Sequence, residues 1–280
     1  MNKKSLFDQV SVECSKLTTL SYSTSFSLGI KMLSKKHQKA IYAVYGYVRF
    51  ADEIVDTFHD YDKRKLLDKF KKDTVEAIAD KISLNPILNA FQQVYHDYHM
   101  TWDLVETFLK SMEMDLEDIQ YNEKNYEEYI LGSAQVVGLM CLKVFTNGQQ
   151  EMYDRLTPAA MRLGSAFQKI NFLRDLNADY RDLGRVYFPN VDMKEFNWET
   201  KRKIENEIAQ DFAVAYQGIL QLPKDSRYGV YLAYTYYIRL FDKIKGLDPE
   251  VVLNNRIRIA NPKKLALMFG SFVKHNLNML

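Results

Sequence analysis

Cysteine is scarce in this sequence, and its two copies lie far apart. Cys14 and Cys141 form no CxxC pair, which argues against a zinc site or a disulfide framework. We therefore expect both side chains to be buried free thiols in a reducing compartment.

An excess of charge of either sign is also absent. The 280 residues carry 38 basic and 36 acidic side chains, for a formal net charge of +2. This balance lacks the global electrostatic signature of a nucleic-acid-binding protein. The 11 glycines form no GxGxxG, GKS or GKT motif, so no glycine-rich loop is available to hold phosphate. An anionic substrate would have to be bound by a local arrangement of side chains.

Long uncharged apolar runs are missing as well. The stretch Met1–Leu17 alternates polar and apolar residues, unlike a signal peptide, and no segment reads as a membrane span. We therefore predict a cytosolic protein. The segment Lys264–His275 could lie on a membrane surface as a peripheral contact, although a core-packed last helix is the better interpretation.

What the sequence does have is apolar residues at helical spacing along nearly its whole length. Hydrophobic residues make up 47% of the chain, enough for a sizeable core, and alternating strand-like runs are few. No linker or repeat divides the chain, so we predict one all-α domain over residues 1–280. Four Asx-Pro or Thr-Pro pairs are typical of helix starts, at Asn85, Thr157, Asp248 and Asn261. The predicted helices are 35–57, 63–80, 86–99, 102–118, 124–146, 158–182, 199–221, 227–245 and 262–277.

Two polar stripes occur within apolar helices. In the first, Tyr45, Arg49, Asp52 and Asp56 have offsets of 0, 4, 7 and 11, which places them on one helix face. Two carboxylates in so apolar a stretch are costly unless something pairs them. One such pair alone is a weak signal, since aspartates four residues apart are common on exposed helices.

The second stripe has the same spacing of its aspartates. Gln168, Asn171, Asp175 and Asp179 have offsets of 0, 3, 7 and 11. Paired carboxylates backed by amide oxygens suit a hard divalent cation such as Mg²⁺. If the two helices face each other across a cavity, metal bound at both could bridge to a diphosphate. The remaining phosphate charge could be neutralised by three arginines, namely Arg49, Arg174 and Arg185.

Four segments resemble, in chain order, motifs of the squalene/phytoene synthase family. The resemblance spans about Tyr22 to Arg256 and is carried by YSTSF at 22–26, YAVYGYVRFADEIVD at 42–56, YEEYILGSAQVVG at 126–138 and FQKINFLRDLNADYRDLGRVYFP at 167–189. It implies an all-α isoprenoid synthase fold with helices around a central cavity that holds two prenyl diphosphates. It also implies Mg²⁺, for which Mn²⁺ can substitute, bound by Asp52, Asp56, Asp175 and Asp179 with Asn171 as a further candidate ligand.

The same resemblance assigns roles to other side chains. The polar end of the cavity would be lined by Tyr45, Arg49, Gln168, Asn171 and Arg174. Groups near the reacting carbons or diphosphates would be Ser25, Phe26, Tyr129 and Tyr237, and Arg185 and Arg256 would complete the substrate-binding set. Two positions depart from the family pattern: Gln135 interrupts the usual Ala-Gly-Thr-Val-Gly, and the interval from Asp179 to Arg185 is one residue longer than usual.

The implied reaction is head-to-head condensation of two geranylgeranyl diphosphates to phytoene through a cyclopropylcarbinyl diphosphate. Aromatic rings would stabilise the carbocations. The alternatives are a squalene or dehydrosqualene synthase that uses farnesyl diphosphate, with NADPH needed only for squalene, and a non-catalytic helical binding protein. Retention of all four aspartates disfavours the last.

Two other groups of residues have a simpler explanation. His96 and His99 are three residues apart but have no matching metal ligands, so a surface pair is expected. Four acidic residues occur close together, namely Glu113, Asp115, Glu117 and Asp118. Such residues are usually just solvated, and the alternative is an ion-binding edge.

Overall fold

The computed structural model describes residues 3–117, 121–183, 186–189, 191 and 195–259, with the side chains of 178–183 outside that description. Within these residues the chain is helical and has no strand, which confirms the all-α prediction. The helices are α1 (Lys3–Tyr22), α2 (Thr24–Lys31), α3 (Lys35–Asp56), α4 (Lys63–Asp80), α5 (Pro86–Asp97), α6 (Trp102–Met114), α7 (Glu123–Ile130), a π-helical turn (Leu131–Gln135), α8 (Val136–Phe145), α9 (Gln150–Leu183), α10 (Trp198–Gln221), α11 (Lys224–Lys245) and α12 (Pro249–Asn254).

Two of the four predicted proline-marked helix starts are confirmed. The Asn85 side chain accepts a hydrogen bond from the backbone N–H of Ile87 at 3.0 Å, and Pro86 is the first residue of α5. Asp248 caps α12 in the same way, with its Oδ1 3.0 Å from the Glu250 nitrogen. In both cases a side-chain oxygen caps the helix, and the first helical residue is a proline, which has no N–H group that would need an acceptor. The predicted start at Asn261 and the helix 262–277 lie outside the described residues.

The predicted start at Thr157 is wrong, because α9 runs without interruption from Gln150 through Pro158. The Thr157 hydroxyl does not cap a helix; it donates back to the carbonyl of Tyr153 at 2.9 Å, inside the same helix. Pro158 is solvent-exposed, so water can solvate the carbonyl that has lost its N–H partner. The helix therefore tolerates the proline.

Helices α1 and α2 were not among the predicted helices. The face that α1 buries carries small polar residues, Ser11, Ser15 and Thr19, all fully buried, while aliphatic residues such as Leu6 and Leu17 are exposed. This reverses the usual amphipathic pattern, so hydrophobic periodicity does not reveal the helix. The small residues let α1 approach α3 closely: a Cβ added at Gly46 would lie 3.0 Å from the Ser15 Cβ.

The predicted helix 124–146 is present but contains the π-helical turn Leu131–Gln135. This turn packs tightly against α6, since a Cβ added at Gly132 would lie 2.5 Å from the Ser111 Cβ and 2.6 Å from the Thr107 carbonyl oxygen. One segment of the described residues, Glu123–Phe145, is long and apolar enough to cross a membrane by composition. Of the 18-residue window that passes this test, 56% is buried inside the protein, and an interior helix passes the same test.

The core consists of two groups of packed side chains. One is built mainly from α3, α5, α6 and α8 and includes Tyr47 stacked on Phe91 at a centroid distance of 3.9 Å. The other is built mainly from α9, α10 and α11, with residues of α7. A cavity of about 950 Å³ is lined by residues from both groups and from α2. This confirms the expected arrangement of helices around a central cavity.

Buried charges tie α9 to α10. The Asp211 carboxylate is 1% exposed and accepts hydrogen bonds from Arg162 at 2.9 Å and from Lys169 at 3.0 Å. Lys169 also reaches Glu207 at 3.2 Å. Removing one member of such a set would leave an uncompensated buried charge. The network therefore fixes the helix that carries the second aspartate motif.

Candidate active site

The first aspartate motif lies at the C-terminal end of α3. Asp52 and Asp56 both line the cavity, as does Asp115 from the end of α6. Burial, together with the negative charges of Asp56 and Asp115, raises the pKa of Asp52 to about 7, and the positive charge of Arg49 opposes this rise. Negative charge at this end of the cavity is thus only partly compensated by the protein itself.

Arg49 lies beside this motif, and neighbouring side chains already interact with part of its guanidinium group. It forms an ion pair with Glu53, lies 4.0 Å from Asp52 and stacks on the Tyr22 ring, with the guanidinium carbon 4.4 Å from the ring centroid. Within the described part of the chain, its Nε is buried and has no hydrogen-bond partner. A buried donor of this kind suits an anionic oxygen such as that of a diphosphate.

The second motif faces the same cavity from α9. Asp175 accepts hydrogen bonds from its neighbour Arg174 and pairs with Arg256, whose Nε lies 2.7 Å from Oδ1. Burial would lower the pKa of Arg174, but the hydrogen bonds and charge of Asp175 outweigh it and raise the pKa. Asn171 accepts a hydrogen bond from the Tyr237 hydroxyl at 3.2 Å.

The structure brings most of the predicted site residues to this one cavity. The residues that line it are Ser25, Phe26, Tyr45, Arg49, Asp52, Asp56, Tyr129, Gln168, Asn171, Arg174, Asp175, Tyr237 and Arg256. The side chain of Asp179 and all of Arg185 lie outside the described residues, so their predicted roles remain predictions.

The donor set at the polar end fits a hard cation. Asp52, Asp56 and Asp175 offer carboxylate oxygens, Asn171 offers an amide oxygen, and the raised pKa of Asp52 shows that positive charge there would be stabilising. Among the described residues, no three His, Cys, Asp or Glu side chains are grouped closely enough to hold a metal unaided. Oxygens of a bound diphosphate would complete the coordination.

Aromatic rings form the wall next to the polar end. Phe26 lies 6.1 Å from Tyr45 and 5.9 Å from Tyr237, measured between ring centroids. Phe167 stacks on Tyr237 at 3.9 Å. Burial raises the pKa of Tyr237 to about 12, so it stays a neutral phenol. Ring faces here could stabilise a cation. The sequence interpretation gave Phe167 no role, although it precedes Gln168 in the recognised motif.

A second aromatic group surrounds Tyr129. Its ring centroid lies 5.1 Å from that of Tyr187 and 6.0 Å from that of Phe172. Tyr187 lines the cavity and stacks on Phe172 at 4.2 Å. Sequence reasoning missed Tyr187, and its place in the recognised RVYFP segment was the only signal for it.

Asp115 differs from the expectation that its acidic neighbourhood is simply solvated. The residue is 6% exposed, and its Oδ2 accepts a hydrogen bond from the Tyr129 hydroxyl at 2.9 Å. Glu113 and Glu117 do fit the expectation, since they pair with Lys71 and Arg64 near the surface. Glu113 and Asp115 are two residues apart at the end of α6, so their side chains point to different sides of the helix. Asp118 lies outside the described residues.

Three further predicted features can be placed. Gln135, the departure from the family pattern, donates a hydrogen bond from Nε2 to the Ser165 hydroxyl at 2.8 Å and so links the π-helical turn to α9.

Cys14 and Cys141 are free thiols as expected, but both are half-buried. Burial raises the pKa of Cys141, in the cavity wall, to about 12. His96 lies 2.9 Å from the Ile78 carbonyl oxygen.

The far end of the cavity is apolar and rich in small side chains. Its lining includes Leu33 in the connection between α2 and α3, Phe145 of α8, and Leu222 directly after α10. Small residues from four helices complete this part of the wall: Gly29, Ala159, Ala160, Ala215, Gly218, Gly229 and Ala233. A polar, acidic end and a long apolar end fit a ligand that has a charged head and a hydrocarbon tail.

Comparison with known proteins agrees with this geometry. A family model described as squalene/phytoene synthase matches residues 20–263. The chain is 28% identical over 197 residues to 4,4'-diapophytoene synthase of Staphylococcus haemolyticus, which covers 68% of this chain and 66% of that protein. It is 27% identical over 280 residues to the chloroplastic phytoene synthase of Narcissus pseudonarcissus, covering 88% of this chain and 62% of that protein. The chain thus spans less than two thirds of the length of these relatives.

The fold also matches a solved structure along nearly its whole length. A crystal structure of a dehydrosqualene synthase in complex with a ligand superimposes with a TM-score of 0.80, at 21% identity, and the match covers 98% of both chains. This likeness assigns the all-α isoprenoid synthase fold.

Proposed function

Because the chain belongs to the squalene/phytoene synthase family, we propose that it joins two molecules of geranylgeranyl diphosphate head to head to give phytoene. The observation that carries this proposal is a cavity of about 950 Å³ with acidic and arginine side chains from α3 and α9 at one end and an apolar wall at the other. Its volume is at the upper end of the usual range for ligand sites, as two long isoprenoid chains require.

The polar end would bind and ionise the diphosphates. Asp52, Asp56 and Asp175, with Asp179 and Asn171, would hold Mg²⁺, for which Mn²⁺ can substitute, and the bound cation supplies charge that stabilises the leaving diphosphate. The protein itself contributes a set of fixed hydrogen-bond donors. One is the buried Nε of Arg49, and the others are the guanidinium groups of Arg174 and Arg256, both of which pair with Asp175.

The middle of the cavity would guide the carbocations. When the first diphosphate leaves, the second substrate attacks and a proton is lost to give a cyclopropylcarbinyl diphosphate. That intermediate loses its diphosphate in turn, and the resulting cation rearranges and loses a proton to give the linear hydrocarbon. Phe26, Tyr45, Phe167 and Tyr237 offer ring faces to positive charge and exclude water that would quench it.

A second candidate substrate is farnesyl diphosphate, which would make the enzyme a dehydrosqualene or, with NADPH, a squalene synthase. The match of the fold to a dehydrosqualene synthase over 98% of both chains favours this candidate. A non-catalytic binding protein fits less well, because it would have no need of two acidic stripes turned into one cavity.

Product analysis tests the proposal. Purified protein is incubated with Mg²⁺ and with geranylgeranyl or farnesyl diphosphate separately, with and without NADPH, and extracts are analysed by chromatography and mass spectrometry. A C40 hydrocarbon from geranylgeranyl diphosphate alone is expected. A C30 product only would favour the farnesyl branch, and no product from folded, metal-loaded protein would refute catalysis.

A further inference from the structure

A hydrogen bond joins Asp115 to Tyr129 in the cavity wall. The two oxygens are 2.9 Å apart, and the residues are 6% and 5% exposed. Asp115 directly follows α6 and Tyr129 belongs to α7, so the bond crosses between two helices. Both side chains line the cavity.

A carboxylate at this position costs folding free energy. Asp115 is nearly inaccessible to water, and its charge acts on Asp52, which already has Asp56 nearby. Desolvation and like-charge repulsion both disfavour a third carboxylate here. A neutral amide could accept the same hydrogen bond without the repulsion. The choice of a carboxylate instead of an amide at this position therefore points to a role for the charge itself.

The direction of the hydrogen bond indicates a role for the charge of Asp115. A tyrosine hydroxyl has one proton, and that of Tyr129 is donated to Asp115. Its oxygen lone pairs are then available only as acceptors. Tyr187, Phe172 and Tyr121 surround the ring at centroid distances of 5.1, 6.0 and 5.5 Å, so the ring is held in place. A charged acceptor also increases electron density on the hydroxyl oxygen that it binds.

We propose that Asp115 is a positioning residue for the reaction, which fixes the Tyr129 hydroxyl as a hydrogen-bond acceptor and negative dipole toward the positive charge that develops on the isoprenoid carbons. This inference rests on the proposed function. Asp115 acts through the Tyr129 hydroxyl to which it is hydrogen-bonded. Its effect should be felt when charge develops and not when the diphosphate binds.

The test is a double-mutant cycle with Asp115→Asn, Tyr129→Phe and the combined variant. Asp115→Asn should lower kcat about 10-fold, because it replaces a charge-assisted hydrogen bond by a neutral one, and leave KM within about twofold. Because Asp115 acts through the Tyr129 hydroxyl, the combined variant should be no slower than Tyr129→Phe alone. Glu113→Gln, two residues away and paired with Lys71 near the surface, is the matched control and should keep wild-type kcat.

Circular dichroism should be unchanged in Asp115→Asn and the melting temperature should not fall, since the substitution removes a charge from beside Asp52. If that variant does not fold, Asp115→Glu, which displaces the carboxylate by one methylene, replaces it in the same cycle. Wild-type kcat in the Asp115 variant, a rise in KM alone, or losses that multiply in the combined variant would each overturn the inference while leaving the proposed function intact. A wild-type protein that makes no hydrocarbon from either substrate would overturn both.

Discussion

The acidic residues at the polar end of the cavity differ in what compensates their charge. Asp175 is held by Arg174 and Arg256, and Asp115 accepts the Tyr129 hydroxyl. At Asp52, burial and neighbouring carboxylates raise the pKa to about 7 in spite of Arg49. Negative charge near Asp52 is therefore only partly compensated by Arg49, and a bound cation there would be stabilising.

Asp52→Asn should reduce hydrocarbon formation by about 100- to 1,000-fold, because it removes a charged group that acts on the leaving diphosphate. Far-ultraviolet circular dichroism should not change, since the residue lines the cavity and is not part of the packed core. Asp68→Asn, on the exposed face of α4, is the matched control and should have wild-type activity. Full activity of Asp52→Asn would show that this aspartate is not needed for catalysis.

At the residue scale, helical spacing predicted which side chains share a face. Tyr45, Arg49, Asp52 and Asp56 all line the cavity, as their offsets require. Spacing could not predict the partners that come from other helices. Asp115 looked like one of several solvated acids because nothing in its own helix marks the one carboxylate that turns inward.

At the scale of whole helices, close backbone approach holds the cavity walls together. A Cβ added at Gly164 of α9 would lie 2.6 Å from the Ala134 carbonyl oxygen and 3.2 Å from the Gln135 Cα. These are backbone atoms of the π-helical turn, so they cannot move aside as a flexible side chain would. Glycine at this position therefore sets the spacing between the turn and α9.

Gly164→Ala should lower the free energy of unfolding by about 1–3 kcal/mol through overpacking, even though alanine gains up to about 1 kcal/mol in helix propensity. Thermal or urea unfolding measures the change. Gly246→Ala is the matched control, because its φ of −78° suits alanine and its added Cβ would have no neighbour nearer than 3.7 Å. The control should be neutral or slightly stabilising. Equal stabilities of the two variants would contradict the close-approach argument.

Helices with an apolar stripe were predicted well, and the errors at α1 and α9 share one cause. The stripe of α3 contains buried Ala43, Tyr47 and Ile54, and its observed bounds, Lys35–Asp56, differ from the predicted ones by one residue. In α1 the buried face is serine and threonine, and in α9 a proline lies within the helix. In both, tertiary packing overrode the local signal.

At the scale of the whole molecule, two helices run the length of the cavity. Along α3, Ile41 and Asp52 both line it and are separated by about 16 Å at 1.5 Å per residue. Along α9, Ala160 and Asp175 are separated by about 22 Å on the same basis. The sequence motifs mark only the polar end of these helices. The wall that limits the length of the substrate is contributed by several helices with no motif, so the sequence could not predict it.

Small side chains in that wall make substrate length testable. Ala233 of α11 is half-buried, lines the cavity, and lies 3.7 Å from where a Cβ on Gly29 would be. Ala233→Phe should fill space beyond the aromatic rings and exclude the longer chain more than the shorter one. We expect kcat/KM for geranylgeranyl diphosphate relative to farnesyl diphosphate to fall by at least about 10-fold.

The control for this prediction is Ala213→Phe, which adds the same ring at an exposed position of α10 and should leave the ratio unchanged. Circular dichroism must show that both variants fold. A ratio that falls in both would mean that added bulk acts indirectly, through packing of the helices. A ratio that stays constant in Ala233→Phe would mean that the substrate tails do not reach the part of the cavity between α2 and α11, and the limit on chain length would then lie closer to the aromatic rings around Phe26.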